Sequence, residues 1–100
     1  MREECLRILA TKEGHRVLDV GCGPAYYLAD MPTVDYHGFD TDARYIEHAR
    51  HRFGDRGHFY CEPFTGEQAE RLGTFDRVML MGLGCYTTWM TQNAMSYWNW

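Results

Sequence analysis

The chain has 100 residues, enough for one small domain with a hydrophobic core and too few for two. Ten basic residues stand against fourteen acidic ones, for a net charge of −4, and this balance leaves no basic stripe that could follow a phosphate backbone. Composition therefore argues against nucleic acid as a partner.

The cysteines are scattered along the chain without any C-x-x-C pair, at Cys5, Cys22, Cys61 and Cys85. The N-terminus does not read as a signal peptide. We therefore expect reduced thiols that pack as small core residues in a cytoplasmic protein. Two disulfides in a secreted scaffold are the alternative, which the low cysteine content and the helical patterning disfavour.

The first half of the chain predicts a helix, a strand, a helix and a second strand. Residues 2–12 have the spacing of a short amphipathic helix, with Gly14 just beyond its end as a left-handed cap. Arg16 to Val20 is typical of a buried strand. Pro24 to Asp30 predicts a helix that opens with proline in its first turn, and Asp35 to Asp40 predicts the second strand.

The clearest predicted helix follows, with Thr41 or Asp42 as its N-cap. Its sequence, A-R-Y-I-E-H-A-R-H-R-F, places Ile46, Ala49 and Phe53 on one face and the charges on the other. We expect that apolar face to pack on the sheet.

The remaining pattern repeats the alternation. His58 to Cys61 predicts a third strand, and Thr65 with Gln68 has the spacing of a capping box for a helix that ends near Leu72. Phe75 to Met81 is apolar and continuous enough to lie inside a sheet. Strands that alternate with helices call for right-handed crossovers, so the predicted fold class is α/β, doubly wound.

The turn after the first strand is the expected ligand site. In such sheets ligands bind outside the carboxyl ends of the strands. Gly21 and Gly23 allow close approach of the backbone to a ligand, and free N–H groups are expected at the start of the helix that follows. Asp40 lies nineteen residues after Gly21, where it could accept hydrogen bonds from a ribose diol.

A nicotinamide dinucleotide is the first ligand to consider, but its G-x-G-x-x-G motif fails because Tyr26 stands at the third glycine. The carboxylate of Asp19 also brings a negative charge to the loop, and this favours a ligand that carries positive charge. S-adenosylmethionine, with its sulfonium and ammonium groups, is such a ligand.

Between residues 14 and 83 the chain contains, in this order, V-L-D-V-G-C-G-P-A, H-G-F-D-T-D-A-R-Y-I-E-H-A-R and F-D-R-V-M-L-M-G-L. In order and spacing these segments resemble the cofactor half of a class I S-adenosylmethionine-dependent methyltransferase of the small-molecule type. The resemblance implies an incomplete Rossmann-like parallel sheet in the order 3-2-1-4, S-adenosyl-L-methionine as cofactor and a small-molecule methyl acceptor.

The resemblance also implies roles for individual residues. The glycine turn would surround the methionine moiety, Asp40 would hold the ribose hydroxyls, Thr41 would lie beside the adenine, and Glu62 would accept from the adenine amino group. Proline and phenylalanine after Glu62 depart from the family pattern. The cofactor-binding residues implied in this way are Asp19, Gly21, Cys22, Gly23, Asp40, Thr41, Glu62 and Met81.

Simpler roles stay open for two of these residues. Asp19 could cap the strand end without touching a ligand, and Asp40 could belong with Asp42 to helix capping. The histidines have no common spacing for a metal, so we expect solvated side chains and no metal site at His15, His37, His48, His51 and His58.

No pair of residues can be argued as acid and base, so catalytic residues are not assigned. Methyl transfer from a sulfonium needs chiefly the positioning of donor and acceptor. In the resembling family, most of the acceptor pocket is built from segments after the fourth strand and from an N-terminal extension. This chain has little of either. We therefore expect the 100-residue chain alone to be weakly active or inactive.

The segment after Leu83 is uncharged and holds all three tryptophans. Read from the third base of the Gly84 codon, synonymous codons can give L-L-H-H-L-D-D-A-E-C-D-E-L-L-E-L, in which the Asp-Asp from Trp89, Met90 and Thr91 is forced. We therefore expect residues 84–100 to be a frameshifted reading of a longer methyltransferase gene. The alternative is a natural aromatic tail that packs on the sheet or lies at a membrane interface, although its polar residues argue against a membrane span.

Without a fifth strand, the fourth strand would be an exposed apolar edge, so we expect a marginally stable or self-associating chain. A methyltransferase is the preferred function. A non-catalytic nucleotide-binding or interaction module is the second hypothesis, and an oxidoreductase of the dinucleotide type is the third.

Overall fold

A computed structural model describes residues 10–80 and the backbone of residues 84–86. Within these residues one sheet has the strand order β3-β2-β1-β4-β5. Its first four strands are mutually parallel, and the fifth is antiparallel to β4. The strands are Arg16–Val20 (β1), Asp35–Phe39 (β2), Gly57–Tyr60 (β3), Arg77–Leu80 (β4) and Gly84–Tyr86 (β5). The predicted α/β class and the order 3-2-1-4 are confirmed.

Two α-helices form where the capping signals predict them. Asp42 is the N-cap of Ala43–Phe53 (α1), where its side chain accepts a hydrogen bond from the amide of Arg44. Thr65 and Gln68 form the capping box of Gly66–Leu72 (α2). No helix among the described residues is long and apolar enough to cross a membrane.

The sheet is covered on both faces, as a doubly wound fold requires. The face toward α1 buries Ile46, Ala49 and Phe53 as predicted, with the further core residues Val17, Leu28, Tyr36, Phe59 and Met79. The face toward α2 buries Leu18, Phe39, Phe64, Ala69, Phe75, Val78 and Leu80. Burial of both apolar faces is the main stabilising contribution to such a domain.

The helix predicted for Pro24 to Asp30 is wrong in type and length. Only a five-residue 3-10 helix, Tyr26–Asp30, forms there. Ala25 before it has a left-handed backbone (φ 61°) without a side-chain cap. Met31 after it is extended, because a residue that precedes a proline is sterically disfavoured in the α region. The segment is therefore confined between two backbone positions that a helix cannot include.

Two further predictions fail at the ends of the chain. Residues 10–12 are not helical, and the rest of the helix predicted for residues 2–12 lies outside the described residues.

The exposed edge predicted at β4 is also wrong, because Leu80, Met79 and Val78 pair with β5. Three residues separate β4 from β5, and so short a connection permits only antiparallel pairing. Residues 87–100 of the predicted frameshifted segment lie outside the described residues.

Candidate cofactor site

The glycine turn is tied to the end of the neighbouring strand β2. Gly21 and Gly23 both have positive φ, 77° and 57°, which glycine adopts at little cost. The amides of Gly21 and Cys22 both donate to the carbonyl of Phe39, at 2.7 and 2.9 Å. The amide of Gly23 donates to Oδ2 of Asp40 at 2.9 Å. These bonds hold the turn against the carboxyl end of β2.

The amides of the turn itself are already used within the protein. The 3-10 helix after the turn is short, and the amide of Ala25 donates to the carbonyl of Cys22. The amides at positions 21 to 23 are also used within the protein. A pyrophosphate needs such groups as donors, so this turn does not provide the cradle of a dinucleotide site.

Asp40 connects the glycine turn to the start of α1. Its Oδ2 accepts from Gly23, and its Oδ1 accepts from the amide of Asp42 at 2.9 Å. The N-cap of α1 is Asp42 itself. A role of Asp40 in helix capping would therefore explain its bond to the Asp42 amide but not its bond to the Gly23 amide. Each carboxylate oxygen has a second lone pair, and Asp40 can therefore still accept from a ligand.

A pocket of about 350 Å³ lies at the carboxyl ends of β1, β2 and β3. Four of the predicted cofactor residues meet on its wall, namely Gly21, Asp40, Thr41 and Glu62. The rest of the wall is apolar and is formed by Val20, Phe39, Pro63 and Phe64. The pocket therefore combines apolar walls with convergent acceptor groups, the usual pattern of a small-molecule site.

The apolar wall was missed by sequence reasoning. The ring of Phe39 packs edge-on against Phe64, with centroids 5.0 Å apart, and stacks on Tyr60 at 4.4 Å. Phe64 belongs to the C-E-P-F segment that departs from the family pattern. The sequence did contain a signal for this wall. Phe39 directly precedes Asp40, and Phe64 lies two residues after Glu62, both of which were already assigned to the site.

Glu62 is held in the pocket wall by α2. Its Oε1 accepts from Nε2 of Gln68 at 3.1 Å and lies 3.5 Å from Nη2 of Arg71. Gln68 is also the partner of Thr65 in the capping box. The helix N-terminus and the pocket carboxylate thus share one hydrogen-bonded network.

Asp19 lies beneath the turn and not on the pocket wall. Its side chain faces the core and is 4% exposed, and the hydroxyl of Tyr36 donates to its Oδ2 at 2.6 Å. Burial raises the pKa of Asp19 to about 6, against the effect of the Tyr36 hydrogen bond and together with the negative charge of Asp40. Asp19 therefore supports the turn from below.

Cys22 also points into the core, where its burial raises the pKa of the thiol above the ordinary value. A Cβ at Gly38 would lie 2.9 Å from its Sγ, so the missing side chain of Gly38 allows the turn to approach β2. Cys61 is exposed, which corrects its prediction as a core residue. Met81 and the side chains of Cys5 and Cys85 lie outside the described residues.

The prediction of solvated histidines is wrong for His37. This side chain is 6% exposed, with Nδ1 3.0 Å from the hydroxyl of Tyr60 and Nε2 3.0 Å from Oδ1 of Asp35. Its ring stacks on that of His58, at a centroid distance of 4.6 Å. Sequence spacing missed this cluster because the parallel register of β2 and β3 brings its members together.

Comparison with known proteins agrees with this fold. A family model described as a methyltransferase domain matches residues 17–98, a range that contains the whole described pocket and extends beyond residue 83. A search of curated proteins found no match.

Three solved structures are similar to the chain. Precorrin 8W decarboxylase from Methanobacterium thermoautotrophicum has a TM-score of 0.65 and 17% identity, with 77% of this chain and 45% of that chain covered. The plantazolicin methyltransferase BamL, in complex with a triazolic desmethylPZN analog and SAH, has a TM-score of 0.50 and 25% identity, with coverages of 67% and 26%. A protein from Clostridium thermocellum assigned as an rRNA-methylase has a TM-score of 0.59 and 15% identity, with coverages of 97% and 62%.

The chain thus spans less than two thirds of each of these proteins. The family match nevertheless covers most of the chain, and the described sheet has the strand order that the resemblance implies. The chain belongs to the methyltransferase domain family, in its class I group.

Proposed function

We propose that the chain binds S-adenosylmethionine in the pocket at the carboxyl ends of β1, β2 and β3, as the cofactor part of an enzyme that methylates a small molecule. The observation that carries this proposal is the meeting of Gly21, Asp40, Thr41 and Glu62 around one pocket. The SAH in the structure of the plantazolicin methyltransferase supports the same cofactor.

The residues present suit this cofactor. The lone pairs of Asp40 not used by Gly23 and Asp42 can accept from ribose hydroxyls. The apolar wall around Phe39 and Phe64 suits the adenine ring, and Glu62 can accept from its amino group. The amides at positions 21 to 23 donate hydrogen bonds to groups within the protein. A turn of this kind is compatible with a methionine moiety and unsuited to a pyrophosphate, which needs free amides as donors.

When bound, the cofactor would supply a methyl group on its sulfonium for in-line attack by an acceptor, with the thioether of SAH as the leaving group. The part played by this chain is to bind and orient the donor, since positioning accounts for much of the rate of such a displacement. Asp40 and the glycine turn fix each other through the Gly23 amide, so the pocket is organised before the ligand arrives.

The net charge of −4 favours a small-molecule acceptor over a nucleic acid. The three similar proteins carry names with different substrates, so the acceptor is inferred here from charge alone. A cofactor-binding module without catalysis is the second candidate, because no residue among those described is assigned to a methyl acceptor.

Calorimetric titration of the chain with SAH, S-adenosylmethionine and NADH tests the proposal. We expect one site for each of the first two ligands and no binding of NADH, because the turn amides are already bonded. Binding of NADH in preference to SAH would contradict the proposal, as would failure of SAH to bind the folded chain. Methyl transfer from bound S-adenosylmethionine to a small acceptor would exclude the second candidate, whereas SAH binding alone is expected from both, because the chain alone is expected to be weakly active or inactive.

A further inference from the structure

A cluster of metal-binding side chains lies near the amino ends of β2 and β3, away from the cofactor pocket. It consists of Asp35, His37 and His58, whose ligand atoms all lie within 4.8 Å of one another. We propose that these three residues bind a divalent transition-metal ion such as Zn²⁺.

The cluster follows from strand geometry. Asp35 and His37 are two residues apart on β2, so their side chains point to the same face of the sheet. His37 pairs in register with His58 on the parallel neighbour β3. The two imidazole rings therefore stack, with an interplanar angle of 19°, and both present Nε2 to one carboxylate oxygen.

The distances suit a tetrahedral ion. Oδ1 of Asp35 lies 3.0 Å from Nε2 of His37 and 3.6 Å from Nε2 of His58. Zinc bonds to nitrogen and oxygen are about 2.0–2.2 Å long, which places neighbouring ligand atoms of a tetrahedral site roughly 3.3–3.6 Å apart. Small side-chain adjustments would therefore bring the three atoms around one ion.

Neighbouring groups already orient two of the ligands. Nε of Arg16 donates to Oδ2 of Asp35 at 3.1 Å, which leaves Oδ1 facing the imidazoles. The hydroxyl of Tyr60 lies 3.0 Å from Nδ1 of His37, so its oxygen can accept a hydrogen bond from Nδ1–H and leave Nε2 free for a metal. A hydrogen bond to the second ring nitrogen is the usual support for a metal-binding histidine.

Access and charge set the expected strength of the site. The side chains of His58 and Asp35 are 61% and 43% exposed, so an ion can reach them and water can complete its coordination. Arg16 weakens the attraction for a cation, and it is held in place by the carbonyls of Leu72 and Thr74. We expect weaker binding than at a structural zinc site with four protein ligands.

The donor set determines which metals to test. Two imidazoles and one carboxylate favour Zn²⁺, Co²⁺ or Ni²⁺ over Mg²⁺ and Ca²⁺, which prefer oxygen ligands. The alternative is that these three side chains only hydrogen-bond to one another and bind no metal. That outcome would contradict the proposal.

The test uses the full chain after treatment with a chelator, titrated with Zn²⁺ by calorimetry and with Co²⁺ by visible absorption. We expect one Zn²⁺ per chain and a Co²⁺ spectrum of low coordination number. His58→Gln and Asp35→Asn should each lower Zn²⁺ affinity by at least about tenfold, since the loss of a supporting group alone typically costs that much.

The matched control is the double variant His48→Gln, His51→Gln on the exposed face of α1, where two histidines could themselves bind a metal. This variant should keep the affinity of the wild type. The proposal is overturned if the wild type binds no Zn²⁺, if His58→Gln binds as tightly as the wild type, or if the control variant loses binding. Circular dichroism of each chain in chelator verifies folding, and His58 is exposed enough that its replacement should not disturb it.

Discussion

Replacing Asp19 with asparagine should make the chain progressively more stable than the wild type as the pH rises. Burial raises the pKa of Asp19 from 3.8 to about 6, so the folded chain holds a proton that the unfolded chain releases. Between these values the contribution of Asp19 to the stability of the wild type falls with rising pH. The variant lacks this loss, and its advantage should grow by about 2 kcal/mol between pH 4 and pH 8, since a shift of one pKa unit corresponds to roughly 1.4 kcal/mol.

Urea denaturation of both chains across that pH range measures the effect. The growth of the difference is the quantity to compare, because any constant cost of burying the asparagine amide cancels. Asp55→Asn replaces an exposed carboxylate and serves as the control for removing a carboxylate that is not buried. A difference between Asp19→Asn and the wild type that does not grow with pH would show that folding does not raise the pKa of Asp19.

Replacing Asp40 with alanine should lower the affinity for SAH by at least about tenfold. This is the effect expected when a ligand loses its hydrogen bonds to a charged acceptor. The same change removes the acceptor of the Gly23 and Asp42 amides. We therefore also expect a loss of about 1–2 kcal/mol in the free energy of unfolding.

Asp42→Ala is the matched control for this prediction. Asp42 is the N-cap of α1 and is not on the pocket wall, so its removal should cost about 1 kcal/mol of stability without changing SAH affinity. Calorimetry at a temperature where both variants are folded separates capping from ligand binding. Equal SAH affinities for the two variants would leave Asp40 with a structural role only, in holding the Gly23 and Asp42 amides.

Local signals predicted much of the fold. Apolar runs located β1 to β4, and the N-caps located α1 and α2, because each depends on residues close together in sequence. The failures have non-local or backbone causes. Ala25 and the Met31–Pro32 step stop a helix that the proline signal favours, and β5 depends on a pairing partner that periodicity does not reveal.

The candidate site also contains residues that local signals predicted and contacts that only the folded sheet creates. Gly21, Asp40, Thr41 and Glu62 came from motif spacing and the family resemblance, and they meet at one pocket. The burial of Asp19 against Tyr36 depends on the fold of β2 beside β1. The contact of His37 with His58 likewise depends on strand register, which spacing in a single sequence does not determine.

Amide NMR of the chain titrated with SAH tests directly whether the pocket at the carboxyl ends of β1, β2 and β3 holds the cofactor. The largest chemical-shift changes are expected at Gly21, Gly23, Asp40 and Thr41, with little change on the exposed face of α1 around His51. Saturation with SAH that leaves the amides of the glycine turn and of Asp40 unshifted would contradict the assignment of this site.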